Sequence, residues 1–256
     1  MSPFLQNSRS AATLGGILAL ALFDLDNTLL AGDSDYAWGQ FLIAVGAVER
    51  AHYEHANTAF YEAYKAGTLD IQAFLAFALE PLRRWPRPTL LAWRAQFVAQ
   101  CVQPMIKPWA PALIAHHRAQ GATPAIVTAT NSFVTAPIAE ILGIPHLIAT
   151  EPEEQDGAFT GRPAGIPCFR EGKVVRVQSW MTEHGLSLAG SYFYSDSHND
   201  LPLLEAVSYP TAVDPDPVLL AAAQARDWPV LRSTDWRPAQ AWPWAERPPR
   251  RERLGQ

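Results

Sequence analysis

Cysteine is scarce in this chain, since only two of its 256 residues are cysteines. Cys101 and Cys168 stand far apart and form no Cys-x-x-Cys pair, which argues against a disulfide framework or a thiolate zinc site. We expect two free thiols. Charged residues are also few, at 18% of the chain. That fraction is too low for a disordered acidic chain, so a folded protein is expected.

A strong charge of either sign is missing as well, because the formal net charge is only −5. A protein that binds a nucleic acid backbone needs a basic face, so no nucleic acid partner is expected. The apolar run over residues 11–23 is too short to span a membrane. It resembles a signal-peptide core, but no cleavage site separates it from Asp24, and we interpret Gly16 to Phe23 as a buried parallel strand. We therefore expect a cytoplasmic protein without a membrane partner.

Hydrophobic residues make up 48% of the chain, enough for a sizeable core. Residues 36–104 lack strand-like alternation and space their apolar residues at helical intervals, which predicts a helical block. After residue 109, short apolar strands alternate with helices. This alternation is typical of a parallel sheet with helices on both faces.

Glycines and apolar runs set the predicted boundaries of the later part of the chain. Strands are predicted at 124–128, 146–149, 191–195 and 211–213. Helices are predicted at 109–119, 132–142, 173–184 and 199–207, with a hairpin loop at 151–172. The predicted organisation is an α/β core of residues 15–35 and 105–235, a helical cap of residues 36–104 and a tail of residues 236–256, rich in Pro, Arg and Trp, that packs loosely over the surface or is partly disordered.

Polar residues follow several of these strands, at the edge where ligands of open parallel sheets bind. Alone, each has an ordinary explanation, such as a turn, a helix cap or an exposed lysine. Taken together and in order, they predict one site. The residues are Asp24, Asp26 and Thr28 after the first strand, Thr128 on the second, Lys173 at a helix start, and Asp196 and Asp200 after a later strand.

These motifs resemble those of the haloacid dehalogenase superfamily of phosphotransferases. Asp24-Leu25-Asp26-Asn27-Thr28 matches the first motif, Asp-x-Asp-x-Thr, while Thr128 and Lys173 match the second and third. Asp196-Ser197-His198-Asn199-Asp200 matches the fourth. The likeness spans residues 17–214 and is greatest for the phosphoserine-phosphatase-like branch, which includes some histidinol-phosphate phosphatases. It implies a doubly wound, mostly parallel α/β core with a helical cap inserted between the first two motifs.

The resemblance also implies catalytic roles that suit the chemistry of the side chains. Asp24 is the expected nucleophile, because a carboxylate can accept a phosphoryl group as a labile acyl phosphate. Asp26 would protonate the leaving alkoxide and then activate water. Thr128 and Lys173 would bind the phosphoryl oxygens and offset their charge. Family dehalogenases lack the second aspartate, so Asp26 favours phosphoryl transfer.

Magnesium is the cofactor that the resemblance implies, and it prefers hard oxygen ligands. The predicted ligands are the carboxylates of Asp24 and Asp196 and the backbone carbonyl of Asp26. Asp200 belongs to the same metal-binding group, where it holds either a metal-bound water or Lys173.

The predicted substrate-binding residues are Thr28, Asp33, Thr128, Lys173 and Asn199. The resemblance places Asp33 where phosphoserine phosphatases carry a carboxylate for the substrate ammonium, and it places Asn199 near the phosphate. A substrate carboxylate would need an arginine. The candidates in the cap are Arg50, Arg83, Arg84 and Arg94. The sequence does not choose among them, and so it does not separate phosphoserine from histidinol phosphate.

The function predicted from these residues is magnesium-dependent hydrolysis of a small phosphomonoester through a phospho-aspartate on Asp24. Two alternatives share the same chemistry. A phosphomutase on a sugar phosphate would return the phosphoryl group to its substrate, and a phospho-acceptor signalling module would hold it without turnover. A non-catalytic scaffold is disfavoured because every expected catalytic group is present.

Overall fold

A seven-stranded sheet forms the centre of the protein in a computed structural model that describes residues 19–236. The strands are β1 (Leu20–Phe23), β2 (Thr123–Asn131), β3 (His146–Gln155), β4 (Ala158–Ala164), β5 (Tyr192–Ser195), β6 (Tyr209–Val213) and β7 (Val230–Leu231). Their order across the sheet is β4-β3-β2-β1-β5-β6-β7. All neighbours are parallel except β3 and β4. The predicted doubly wound, mostly parallel α/β fold is confirmed.

Eleven α-helices surround or adjoin this sheet in the described part of the chain. Those between β1 and β2 are α1 (Ser34–Ala44), α2 (Arg50–Lys65), α3 (Ile71–Ala78), α4 (Glu80–Arg84), α5 (Arg87–Phe97), α6 (Gln103–Met105) and α7 (Ala110–Ala119). The others are α8 (Ser132–Ile141), α9 (Glu171–His184), α10 (Leu201–Ala206) and α11 (Pro217–Ala225). Short irregular turns lie at Leu25–Leu29, Val98–Val102, His198–Asp200 and Ser233–Asp235.

Strand β1 lies in the middle of the sheet, and all four of its side chains are fully buried. It is paired with β2 on one side and β5 on the other. Burial on both faces explains why this strand has a continuous apolar sequence without alternation. It begins at Leu20, and the earlier part of the predicted strand and the N-terminus lie outside the described residues.

Four predicted boundaries after β2 differ from the structure by two residues or more, one of them being the start of β6 at Tyr209 instead of residue 211. Strand β3 continues past residue 149 to Gln155 and pairs with β4, so most of the predicted loop is a hairpin. Asp156 and Gly157, both with positive φ, form its two-residue turn. Helix α9 begins at Glu171, two residues before its predicted start. Helix α10 begins at Leu201, two residues after its predicted start, because His198–Asp200 forms a 3₁₀ turn.

The chain enters and leaves the cap helices at adjacent points. Leu30 and Ile106 form an isolated antiparallel bridge. The Lys107 amide donates to the Leu29 carbonyl at 2.9 Å, and the Ala31 amide donates to the Met105 carbonyl at 2.6 Å. The two connections therefore run side by side and are hydrogen-bonded to each other. Helices α1 to α5 occupy the region predicted as helical, while the division into domains stays a prediction.

Both cysteines are free, as expected, with Cys168 buried and Cys101 partly exposed. Within residues 19–236, none of the helices has the length and apolar character needed to cross a membrane. The predicted tail lies almost wholly outside the described residues, which end at Trp236.

The buried histidine of α7 generates a prediction about acid stability. The ring Nε2 of His117 lies 2.8 Å from the Tyr194 hydroxyl. Burial, reinforced by the neighbouring His116, lowers the pKa of His117 to about 4. The unfolded chain therefore takes up this proton near pH 6.5, before the folded chain does. The contribution to stability is complete above pH 6.5 and is lost as the pH falls towards 4.

We expect His117→Gln to remove about 2 kcal/mol of the drop in unfolding free energy between pH 7 and pH 5. The measurement is urea unfolding at both pH values. His55→Gln is the matched control, because His55 is exposed on α2. If the unfolding free energy depended on pH equally in the wild type and in His117→Gln, His117 would not be the source of this loss of stability.

Candidate active site

A buried ammonium group links the end of β1 to two distant parts of the chain. Lys173 Nζ lies 2.8 Å from Asp24 Oδ1 and 2.7 Å from Asp200 Oδ2. Lys173 is 2% exposed and Asp24 is 4% exposed. The Asp24 amide donates to the Tyr194 carbonyl of β5, which fixes the backbone of the predicted nucleophile. The structure therefore brings the first, third and fourth predicted motifs together.

The electrostatics of this cluster follow from burial and close charges. Burial opposes the charge on Lys173, but the carboxylates of Asp200 and Asp24 outweigh it and raise the pKa of the ammonium. Burial raises the pKa of the Asp24 carboxyl to about 7, although the charge of Lys173 works in the opposite direction. The Lys173 ammonium thus stabilises the buried carboxylates of both Asp24 and Asp200.

Asp26 is held by two hydrogen bonds from different elements. Its Oδ1 accepts from the Ser34 amide at 2.6 Å, and its Oδ2 accepts from the Thr130 hydroxyl at 2.7 Å. The chain can turn between Asp24 and the cap because Asn27 has a positive φ of 56°. Lys107 Nζ donates to the Asn27 carbonyl at 2.6 Å and stabilises this turn.

Thr28 connects the first motif to the fourth. Its hydroxyl donates to Asp196 Oδ1 at 3.1 Å and accepts from the Asp196 amide at 3.0 Å. Thr28 is fully buried, so the structure shows it positioning Asp196. Its predicted contact with substrate stays a prediction. Thr128 is also buried and accepts a hydrogen bond from the Thr130 amide at 3.2 Å, inside β2 rather than at its end.

Three carboxylates crowd this region. Burial, followed by the charges of Asp24 and Asp200, raises the pKa of Asp196 well above its usual range. Such a cluster suits a hard divalent cation, and Asp24, Asp196 and the Asp26 carbonyl could hold one. Among residues 19–236, no group of three or more His, Cys, Asp or Glu side chains is arranged around one metal position. A set of two carboxylates and one backbone carbonyl is compatible with that finding.

The sequence allows two positions for Asp200, beside a metal-bound water or beside Lys173. Its Oδ2 contacts Lys173 and also accepts from the Ser195 hydroxyl at 2.7 Å. The structure thus shows the contact with the lysine. A contact with metal-bound water stays a prediction.

Comparison with known proteins now identifies the family. A sequence profile described as haloacid dehalogenase-like hydrolase matches residues 21–205. This chain belongs to the haloacid dehalogenase-like hydrolases. A histidinol-phosphatase of Neisseria meningitidis is 44% identical over 216 residues, covering 83% of this chain and 97% of that protein. The phosphoserine phosphatase SerB1 of Mycobacterium tuberculosis is 30% identical, covering 84% of this chain and 70% of that protein.

Solved structures of this fold agree with the family. A protein of unknown function from Bordetella pertussis has a TM-score of 0.80 and 47% identity, and the match covers 85% of this chain and all of that one. A substrate-bound phosphoserine phosphatase has a TM-score of 0.64 at 18% identity, covering 84% of this chain and 93% of that one. The likeness to the phosphoserine phosphatase shows that the two proteins share a fold.

Asn199 is engaged with the cap of this hydrolase. Its amide nitrogen donates to the Tyr64 carbonyl at 3.2 Å, and its amide oxygen accepts from Arg170 Nε at 3.0 Å. Arg170 Nη2 also donates to the Gly67 carbonyl. In this arrangement Asn199 joins the core to the end of α2, and the predicted contact with phosphate stays a prediction.

A cavity extends from Asp24 and Asp26 into the cap, and we call it the cap cavity. Its lining residues are Asp24, Asp26, Asp33, Asp35, Tyr36, Asn57, Phe60, Tyr61, Tyr64, Leu69, Ile71, Phe74, Thr128, Ala129, Thr130 and Phe169. Asp33 Oδ1 accepts from the amides of Asp35 and Tyr36 and caps α1. Burial, followed by the charge of Asp26, raises the pKa of Asp33 to about 7.

No lysine, arginine or histidine lines the cap cavity in the described part of the hydrolase. Arg50, Arg83 and Arg84 are exposed elsewhere on the cap. Arg94 Nη1 donates to the Phe133 carbonyl at 2.9 Å. In this structure, none of the four arginines considered as partners of a substrate carboxylate lies in the cavity.

Sequence reasoning missed four residues of the site: Asp35, Asn57, Thr130 and Arg170. A signal existed only for Thr130, because it stands two residues after Thr128 and a strand places such residues on the same face. The others depend on helix packing in the cap or on the left-handed backbone of Arg170, whose φ is 50°.

Lys173 contacts both Asp24 and Asp200, so substitutions of Lys173 and Asp200 should have non-additive effects on the unfolding free energy. Lys173→Met leaves two buried carboxylates without their cation, while Asp200→Asn leaves the cation with one partner. We expect the first change to cost about 3 kcal/mol of unfolding free energy. The double variant should cost at least about 1 kcal/mol less than the sum of the single variants. Urea unfolding of all four proteins measures this coupling, and additive costs would refute it.

Proposed function

We propose that this phosphatase hydrolyses a small, amine-bearing phosphomonoester through a magnesium-dependent phospho-aspartate mechanism on Asp24. The observation that carries the proposal is the convergence of Asp24, Asp26 and Thr128 in the lining of one cavity, with the buried Lys173 contacting Asp24 from outside that lining. Histidinol phosphate and phosphoserine are the candidate substrates. The proposed location in the cytoplasm stays a prediction.

Each catalytic side chain has a position that suits its proposed task. Asp24 Oδ2 is free of the Lys173 contact, which is made by Oδ1, and can attack phosphorus. Lys173 offsets the negative charge that gathers on the phosphoryl oxygens. Asp26 carries a proton to the leaving oxygen and later removes one from the attacking water. Its bonds to Ser34 and Thr130 hold the carboxyl group in the cavity during both steps.

The proposed magnesium ion would be held by Asp24, Asp196 and the carbonyl of Asp26. When bound, it would neutralise charge on the phosphoryl group and orient it towards Asp24. Support comes from the excess of buried carboxylates over the single ammonium of Lys173. Thr28 contributes by fixing Asp196 through two hydrogen bonds.

The amine preference rests on Asp33. Its Oδ1 is occupied by two backbone amides, whereas its Oδ2 has no hydrogen-bond donor among residues 19–236. A carboxylate in a largely apolar cavity is a suitable partner for an ammonium group. Two relatives are named for phosphatases of amine-bearing substrates, histidinol phosphate and phosphoserine. We therefore propose that the substrate ammonium binds Asp33.

The first prediction of this proposal concerns Asp26, the proposed general acid. We expect Asp26→Asn to lower kcat about 10²- to 10⁴-fold on an alkyl phosphate, because the alkoxide needs a proton. The loss should be much smaller on p-nitrophenyl phosphate, whose leaving group is already acidic. Steady-state kinetics with magnesium, and with magnesium removed by a chelator, measure both effects. Asp24→Asn is the reference, since loss of the nucleophile should abolish turnover of both substrates.

An equal loss on both substrates in Asp26→Asn would show that Asp26 is not the acid. Wild-type turnover in Asp24→Asn at saturating magnesium would overturn the whole mechanism. Activity that survives exhaustive chelation would exclude the metal.

The amine contact generates the second prediction. Asp33→Asn should raise KM about tenfold for an amine-bearing substrate and leave KM for glycerol 3-phosphate unchanged, because only the first loses a charge-assisted contact. Asp70→Asn is the matched control, since Asp70 caps α3 by two amides just as Asp33 caps α1. The same rise in KM for both substrates would assign Asp33 a structural role.

A further inference from the structure

The cap cavity contains a fourth carboxylate, that of Asp35, to which the proposed function gives no role. Asp35 lies in the first turn of α1 and lines the cavity. Its carboxylate makes no hydrogen bond or ion pair within residues 19–236, although its surroundings disfavour charge. Burial, followed by the charges of Asp33 and Asp26, raises its pKa well above the usual range. An acid in such a place lacks a compensating donor or cation.

Asn57 supplies a second acceptor in the cavity. It lines the cavity and is only 4% exposed. Its amide nitrogen donates to the Tyr36 carbonyl at 3.0 Å, and this contact with an acceptor identifies which end of the amide is nitrogen. The amide oxygen accepts no hydrogen bond among residues 19–236 and keeps some accessible surface. This oxygen is therefore open to a donor on a ligand.

The walls of the cavity indicate the shape of that ligand. Six aromatic side chains line it: Tyr36, Phe60, Tyr61, Tyr64, Phe74 and Phe169. Aromatic walls favour a flat ring, and they favour it more when the ring carries positive charge. Because no lysine or arginine among residues 19–236 lines the cavity, a substrate carboxylate would find no cationic partner from this part of the chain.

We propose that Asp35, together with Asn57, binds an N–H donor on a flat nitrogen-containing ring of the substrate. This inference rests on the proposed function and narrows its substrate class. The phosphate lies at Asp24, the ammonium at Asp33 and the ring between the aromatic walls. Histidinol phosphate, with its imidazole ring and no carboxylate, fits this class. Phosphoserine has a carboxylate and no ring, and does not fit.

The test compares three phosphate monoesters, each of which lacks one more of the proposed binding features than the one before it. Histidinol phosphate has the ammonium and the ring, O-phosphoethanolamine has the ammonium alone, and glycerol 3-phosphate has neither. We expect Asp35→Asn to raise KM at least about tenfold for the first and to change the other two less than twofold. Asp33→Asn should raise KM for histidinol phosphate and for O-phosphoethanolamine, because both carry the ammonium. Asp70→Asn, which makes the same substitution at an exposed position in the cap, should affect none.

The outcomes separate this inference from the proposed function. If Asp35→Asn changes none of the three phosphates, or changes all of them equally, Asp35 does not bind the ring. If the wild type hydrolyses none of them, the proposed function fails. Calorimetric binding of histidinol then still decides the inference, because this dephosphorylated alcohol keeps the ring and the ammonium. Binding that Asp35→Asn weakens tenfold supports it, and binding that the substitution leaves intact overturns it.

Discussion

The ammonium of Lys173 is the point on which the site depends. It contacts Asp24, which lies 149 residues away in the chain, and Asp200, which lies 27 residues away. Two buried carboxylates this close to one another would otherwise repel each other in a medium that screens charge poorly. A single cation on the first turn of α9 therefore allows β1 and β5 to present their acids at one edge of the sheet.

The reacting groups and the cap share one stretch of chain. Asp26 accepts a hydrogen bond from the amide of Ser34, the first residue of α1, and the neighbouring Asp33 caps that helix. At the far end of α2, Asn199 and Arg170 bind backbone carbonyls of the cap. Movement of the cap would thus disturb hydrogen bonds of the fourth motif and of Asp26. This arrangement couples the position of the cap to the geometry of Asp26, the proposed general acid.

The acids of the cavity favour a substrate with a cationic remainder. Asp33 and Asp35 supply carboxylates towards the cap, while Lys173 offsets part of the charge of Asp24 at the other end. The carboxylates near Asp24 outnumber that single ammonium, so an anionic phosphate would need the proposed metal ion there, whereas a cationic group is attracted towards Asp33 and Asp35. A substrate carboxylate would be repelled by the same two acids, which disfavours such substrates.

The chain by itself determined the fold class and the catalytic motifs, because an apolar run buried on both faces and polar residues at strand ends are local patterns. The residues Asp24, Asp26, Lys173 and Asp196 could be chosen in this way. Only the tertiary structure showed that Asn199 contacts the cap, that Asp35 lines the cavity and that, within residues 19–236, no arginine does so. Those facts depend on how helices pack across long stretches of sequence, and helical spacing alone does not say which face meets the sheet.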